Sequence, residues 1–269
     1  MSPENQPIDT TTAEAYERHM VPGMFAHWTE LVIGVVAPQP GDQVLDMACG
    51  TGIGARVATR FAGPTGNVIG VDIDPGVIEV ARRLTQGTGT PMEWHCADAL
   101  QVPFKDATFD LCLCLQGLQF FKDRHAGFAE IRRMLKPSGQ LAASIWGPLE
   151  HNIGHYAVVQ ALESQGVDAS AAKRACSFSN PDDIRDAATR AGFSRIQLRT
   201  EDGVSHFTSI QSFIDGMTQG SPSTRYAVAL LPESGRDEFL KQVRMMLEPH
   251  VASGELRYPM RTHVLVAQP

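Results

Sequence analysis

A chain of 269 residues, 43% hydrophobic and 20% charged, is long enough to bury a large core and too apolar to be natively disordered. Its formal net charge of −7 argues against a broadly basic, nucleic-acid-binding surface, so no nucleic-acid partner is expected. No run approaches the roughly 18 apolar residues of a membrane helix, and the polar opening MSPENQPIDT has no basic start followed by an apolar stretch, so the expectation is a cytoplasmic protein with no membrane partner.

In chain order, Ala13, Tyr16, His19, Met20, Met24, Trp28, Leu31 and Val32 recur at three- and four-residue steps and predict helix over residues 11–36. Pro22-Gly23 is expected to break it in two. After the turn cluster at 38–42, residues 43–47 predict a short apolar strand, 48–54 a glycine-bearing loop and 53–62 a helix. Residues 67–72 predict a second strand, and Asp74-Pro75 starts a helix to about residue 85. Strands follow at 92–97 and 109–115, then a helix over 123–135 stopped by Lys136-Pro137-Ser138-Gly139, and a fifth strand over 140–146. Cys112 and Cys114 alternate with leucines in the fourth strand and read as buried; the five cysteines show no metal-ligand spacing, and no metal is expected.

The second half reads differently. Helices are predicted over 152–166, 181–191, 209–218 and 233–248, with strands at 195–200 and 262–267. Strands alternating with helices imply an α/β fold, a Rossmann-like, seven-stranded, mostly parallel sheet with helices on both faces. The chain reads as one domain over residues 1–269: a helical cap at 11–36, a nucleotide-binding core at 40–147, and helical insertions at 150–178 and 207–255 placed to roof the crevice beyond the strand ends. Completing the core or making a homodimer contact are the other uses of such insertions.

The strongest local pattern is Asp46-Met47-Ala48-Cys49-Gly50-Thr51-Gly52, an apolar strand ending in a small-residue loop before a helix. Gly50 and Gly52 let backbone approach a ligand, and Asp46 is placed to accept from an ammonium group or to fix the loop. Many βα turns also carry glycine. About 20 residues on, where nucleotide-binding α/β folds place a ribose-binding carboxylate, stands Asp72. Asp74 before Pro75 is a helix cap, and Asp98 ends the third strand, where an adenine amino group would find an acceptor.

Together these elements resemble the class I S-adenosylmethionine-dependent methyltransferases, in the branch of ubiquinone/menaquinone and small-metabolite enzymes. The resemblance covers residues 40–147 well and 16–36 more loosely, with Leu118-Gln119-Phe120-Phe121 and EIRRMLKPSG (130–139) matching the family's later segments. It implies S-adenosylmethionine as cofactor, S-adenosylhomocysteine as product and a small-molecule acceptor. It also implies that the backbone at Ala48, Cys49 and Gly50, with Thr51 and Gly52 in the same motif, borders the methionine part. Asp72 would hold the ribose, Ile73 would pack on adenine, Asp98 and Ala99 would fix the adenine edge, and Gln116 would contact the methionine part through its backbone. The cap residues Tyr16, His19, Phe25 and Trp28 are placed to reach the sulfonium by cation–π attraction or to pack in the core, with core packing the expected role of Phe25.

Methyl transfer is an in-line displacement for which alignment matters most, and a base is needed only where the nucleophile must lose a proton. His151 and His155, four apart after the fifth strand, are the base candidates, with an exposed helix start as the plain alternative. The few charges in 153–163 suit an apolar or aromatic acceptor. Competing readings are the same fold using the cofactor for cyclisation, a noncatalytic cofactor sensor, and a nicotinamide oxidoreductase, the last disfavoured by the loop pattern.

Overall fold

The computed structural model describes residues 8–87 and 92–269; the first seven residues of the polar opening lie outside the described residues. Five strands run parallel at the centre: β1 Gln43–Met47, β2 Asn67–Asp72, β3 Met92–Cys96, β4 Phe109–Leu115 and β5 Leu135–Trp146. β1, β2 and β4 are near-continuous apolar runs because helices cover both of their faces. β6 Ser194–Phe207 and β8 Glu255–Gln268 complete the sheet antiparallel, in the order β3-β2-β1-β4-β5-β8-β6. An eighth strand of two residues, β7 Val251–Ala252, pairs with β8 and adds to the seven expected. Strand order reverses between β1 and β4, which opens a crevice over their carboxyl ends.

The helices are α1 Thr11–Ala15, α2 Ala26–Val36, α3 Ile53–Ala62, α4 Pro75–Thr85, α5 Arg124–Met134, α6 Ile153–Ser164, α7 Ser170–Lys173, α8 Pro181–Arg190, α9 Ile210–Asp215, α10 Pro222–Ala229 and α11 Glu233–Leu247. Val32, Ile33, Ala55, Ala58, Ile78 and Ala81 of α2, α3 and α4 cover one sheet face, packing on Val44, Leu111 and Trp94. Phe128, Ile131 and Ile184 of α5 and α8 cover the other, against Leu45, Met47 and Cys112. A third core, built on Trp146, Phe207, Phe213, Phe239 and Tyr258, sits under the helical insertions. Cys112 and Cys114 are fully buried, as their alternation with leucine predicts.

The Asp74 side chain accepts from Gly76 N–H at 2.7 Å, with Pro75 in the first turn, so α4 starts at a true N-cap. Asp74→Ala is expected to lower stability by about 1 kcal/mol, read as a shift in urea midpoint; an unchanged midpoint would count against the cap.

Four expectations need correction. Pro22-Gly23 does not break the N-terminal helix: the run is continuous, and Tyr16–Phe25 is π-helical. The wider turn accommodates a residue without an N–H, and Gly23 is small because a Cβ there would sit 2.5 Å from the Phe207 ring. Strand β5 starts at Leu135, not residue 140, with 136–139 bulging between the Phe109–Leu135 and Leu111–Gln140 pairs. β6 and β8 run well past the predicted 195–200 and 262–267, because beyond Trp146 they pair with each other and carry Phe207 and Tyr258 under the insertions. Finally, α10 was not expected, although Ser221, whose hydroxyl caps it, and Pro222 mark its start.

Candidate functional site

A cavity of about 820 Å³ lies over the carboxyl ends of β1, β2 and β4, within the size range of small-molecule sites. Its floor comes from the loops after the strands: Ala48 and Gly50 after β1, Asp72 and Ile73 at β2, Asp98 and Ala99 after β3, Gln116 after β4. Tyr16, Met20 and Phe25 of the N-terminal run form one wall. Arg174 and Ala175 beyond α7 and His155 of α6 complete the lining with Ser221 and Tyr226 around α10, whose start adjoins the N-terminal run: a Cβ at Gly220 would lie 2.6 Å from the Tyr16 nitrogen.

Ala48 and Gln116 both take left-handed backbone, with φ of 56° and 60°, a conformation that costs a non-glycine residue about 1–3 kcal/mol. Each is held there by its neighbours. Cys49 N–H donates to Val71 O at 3.0 Å, and Gln116 N–H to Ser144 O at 2.9 Å. The Gln116 amide donates to Thr262 Oγ1 at 3.1 Å and accepts from Gln119 at 3.1 Å. Both strained residues line the cavity.

Asp72 accepts from Gly50 N–H at 2.9 Å with Oδ2 and from Asp74 N–H at 3.0 Å with Oδ1. A carboxylate offers about four acceptor positions, so each oxygen keeps one for a ligand hydroxyl. Burial pushes the Asp72 carboxyl above the usual carboxylate range, against the pull of these backbone bonds. Next to it Ile73 is 67% exposed, the largest such value among the exposed hydrophobic side chains described, and it faces the cavity. Asp98 accepts from Leu100 N–H at 2.9 Å with Oδ1, which leaves Oδ2 open.

Other motif residues stand behind the floor and do not line the cavity. Asp46 is fully buried and accepts from Ala55 N–H at 2.8 Å, fixing the first turn of α3. Gly54 is small for it, since a Cβ would lie 2.6 Å from Asp46 Oδ2. Burial, and then the charge of Asp72, push the Asp46 carboxyl up to about 7. Gly52 has φ of 83° and faces Trp94 on the far side of the loop. The Thr51 hydroxyl donates to Glu17 at 2.5 Å, and Arg56 bridges Glu17 and Thr51 O at 2.8 Å each, tying the N-terminal run to the loop. The Cys49 thiol is buried and pushed up by that burial. Trp28 is buried edge-on to Trp146, with ring centres 6.2 Å apart, and does not line the cavity, whereas Tyr16 and, against the core-packing expectation, Phe25 do.

The two histidines separate. His151 sits exposed in the 3₁₀ turn Leu149–His151 ahead of α6 and does not share a helix face with His155. His155 is buried on α6, lines the cavity and lies 6.1 Å from the Trp146 ring, while Phe25 approaches the same tryptophan at 5.9 Å. Its Nδ1 has no partner among the described residues, and burial pushes the imidazole down to about 4, so it is neutral at physiological pH. Sequence reasoning missed Trp146 as a wall and the contributions of Lys122, Arg174 and α10, because they come from segments distant in sequence that only packing brings to the rim. Among the described residues no cluster of three metal-ligating side chains occurs, and no helix is long and apolar enough to cross a membrane.

Comparison with known proteins places this geometry. Residues 45–143 match the family profile described as a methyltransferase domain. The chain is 37% identical over 134 residues to a ubiquinone/menaquinone biosynthesis C-methyltransferase of Cupriavidus taiwanensis, a match covering 48% of this chain and 54% of that protein. The chain thus spans about half the length of the curated relatives it matches. In fold it is similar to phosphoethanolamine N-methyltransferase 2 of Haemonchus contortus, solved in complex with S-adenosyl-L-methionine, with a TM-score of 0.64 and 19% identity, covering 97% of this chain and 57% of that one. The YcgJ protein of Bacillus subtilis shares the fold at a TM-score of 0.60 and 16% identity, covering 90% of this chain and 97% of the other.

Proposed function

We propose that this chain, whose residues 45–143 match the methyltransferase-domain profile, is a class I S-adenosylmethionine-dependent methyltransferase that binds S-adenosylmethionine in this cavity and methylates a small molecule with an apolar, planar body. The observation that carries the reading is Ile73: a large side chain left open to the cavity between two carboxylates, Asp72 and Asp98, that both retain acceptor capacity. An adenosine fits that triplet. Asp72 accepts from the ribose hydroxyls, Ile73 covers one face of the base, and Asp98 accepts from the adenine amino group. The bent backbone at Ala48, Gly50 and Gln116 borders the methionine part.

The cofactor, when bound, supplies the activated methyl group, so the chain's own work is to align and to exclude water. The N-terminal run and the two helical insertions serve as cap and roof of one domain, and Tyr16, Phe25 and Trp146 present apolar walls to the acceptor. His155, neutral and without a protein partner for Nδ1, orients the acceptor through a hydrogen bond.

Calorimetric titration with S-adenosylhomocysteine tests the reading. Micromolar binding, about −8 kcal/mol, is expected. Ile73→Ser should weaken it by about tenfold, since the side chain is exposed without ligand and is covered only by the base. Absence of binding by the folded protein, or an Ile73→Ser affinity equal to the parent's, would remove the basis of the assignment. Bound cofactor that is never converted to S-adenosylhomocysteine across an acceptor screen would favour the cyclisation or sensing alternatives.

A further inference from the structure

Beside the cavity lies an adjoining cleft of about 690 Å³ between α5, α8 and the 3₁₀ turn Arg174–Cys176. The two spaces share Phe121, Lys122 and Arg174, so their boundary is a common rim. Lys122 and Arg174 stand on that rim, and Arg124 stands in the cleft. None of the three forms an ion pair among the described residues, although the chain as a whole is acidic with a net charge of −7.

Arg124 is the informative member. Its guanidinium lies over the Phe178 ring at 4.5 Å and donates to Ser177 Oγ at 2.9 Å, while its Nε is shut off from solvent with no partner among the described residues. Burial and repulsion from Arg174 both disfavour its charge. Arg174 in turn is held by a bond to Phe120 O at 2.9 Å and lies 6.0 Å from the Phe120 ring centre. Arg124 is half-buried and Arg174 exposed, neither forms an ion pair among the described residues, and each retains a planar array of donors. Three carboxylates also line the cleft. Asp186 pairs with Arg190, while Asp123, which caps α5 through Ala126 N–H and keeps its charge, and Asp183, which favours the Arg124 charge, leave two carboxylates facing three cations. The positive charge at the rim therefore exceeds the negative charge free to meet it.

We propose that Lys122, Arg124 and Arg174 form a subsite for an anionic group, a carboxylate or phosphate, carried by the acceptor whose apolar body occupies the cavity. The assignment to an acceptor rests on the methyl-transfer reading, while the anion subsite itself stands on the rim geometry. The paired guanidiniums supply forked donors to two anion oxygens, and Lys122 adds a mobile point charge from the cavity side.

The test is titration of the full chain, without cofactor, with phenyl phosphate, inorganic phosphate and benzamide, followed by ligand-observed NMR. Phenyl phosphate should bind, benzamide should bind much more weakly, and raising the salt concentration should weaken the first and not the second. Arg124→Gln/Arg174→Gln should lose about tenfold or more for phenyl phosphate. Lys122→Gln, at an exposed position with no ion pair among the described residues, should lose several-fold and keeps the test valid if the double variant is unstable. Equal affinity of parent and variants for phenyl phosphate, or equal binding of benzamide, overturns the subsite. Inorganic phosphate binding as tightly as phenyl phosphate overturns the link to an acceptor, since the ring would then add nothing. A chain that binds S-adenosylhomocysteine and ignores phenyl phosphate refutes the subsite alone. One that binds phenyl phosphate and not S-adenosylhomocysteine refutes the methyl-transfer reading and, with it, the acceptor assignment.

Discussion

Gly52→Ala lowers the stability of the fold by about 3 kcal/mol or more, combining left-handed backbone strain with overpacking. The backbone at Gly52 has φ of 83°, which a Cβ disfavours. The added carbon would also fall 2.2 Å from Trp94 Cη2 and 2.7 Å from Cζ3. The indole cannot swing aside. It is 8% exposed, its Nε1 donates to Thr85 Oγ1 at 3.1 Å, and it lies over Gly70, where a Cβ would come within 2.3 Å of Cζ3. Urea denaturation measures the loss. Repeating it in a Trp94→Leu background should recover part of the Gly52→Ala cost, with a coupling of about 1–3 kcal/mol. A Gly52→Ala midpoint equal to the parent's would show that the loop does not rest on the tryptophan as described.

Asp46→Asn and His155→Leu should displace the slope of stability against pH in opposite directions from the parent's. Asp46 is pushed up to about 7 in the folded chain from an ordinary 3.8, by burial above all. The folded state therefore holds a proton that the unfolded state releases, and the stability this contributes is present at low pH and is lost as pH rises through 7. His155 is pushed down to about 4 from 6.5 by burial, so the unfolded state takes up the extra proton. Its contribution is present above 6.5 and is lost as pH falls through 4. Between about 4 and 6.5 the two effects oppose each other in the parent, each with a limiting slope of about 1.4 kcal/mol per pH unit. Relative to the parent, removing the Asp46 charge makes the change in stability across that window more positive and removing the imidazole makes it more negative; Asp72, also raised by burial, acts in the same direction as Asp46 and remains in both variants. Urea midpoints at pH 4.5 and 6.5 in the parent and the two variants decide the matter, and slopes displaced from the parent's in the same direction would contradict the burial described for one of the two groups.

The central strands, the helices between them and the acid at the end of β2 were legible in the chain itself. Their signals are local: continuous apolar runs for Gln43–Met47 and Asn67–Asp72, a cap and a proline at the start of α4, small residues in the loop after β1. The division of labour inside the motif was not legible. Asp46 and Asp72 both end strands beside the glycine loop, yet one carboxylate turns inward to hold α3 and the other borders the cavity. Gly50 and Gly52 look alike in sequence, but the first lines the cavity and the second makes room for Trp94, 42 positions further along the chain. Likewise His151 and His155 are separated because a 3₁₀ turn ends before α6 begins. Periodicity and turn chemistry, which act over a few residues, were therefore sufficient by themselves to specify the α/β core and the place of its crevice. Which side chains face that crevice, and the gathering of Lys122, Arg124 and Arg174 at its rim, were decided only by tertiary packing, because burial and close approach depend on neighbours that the chain order does not adjoin.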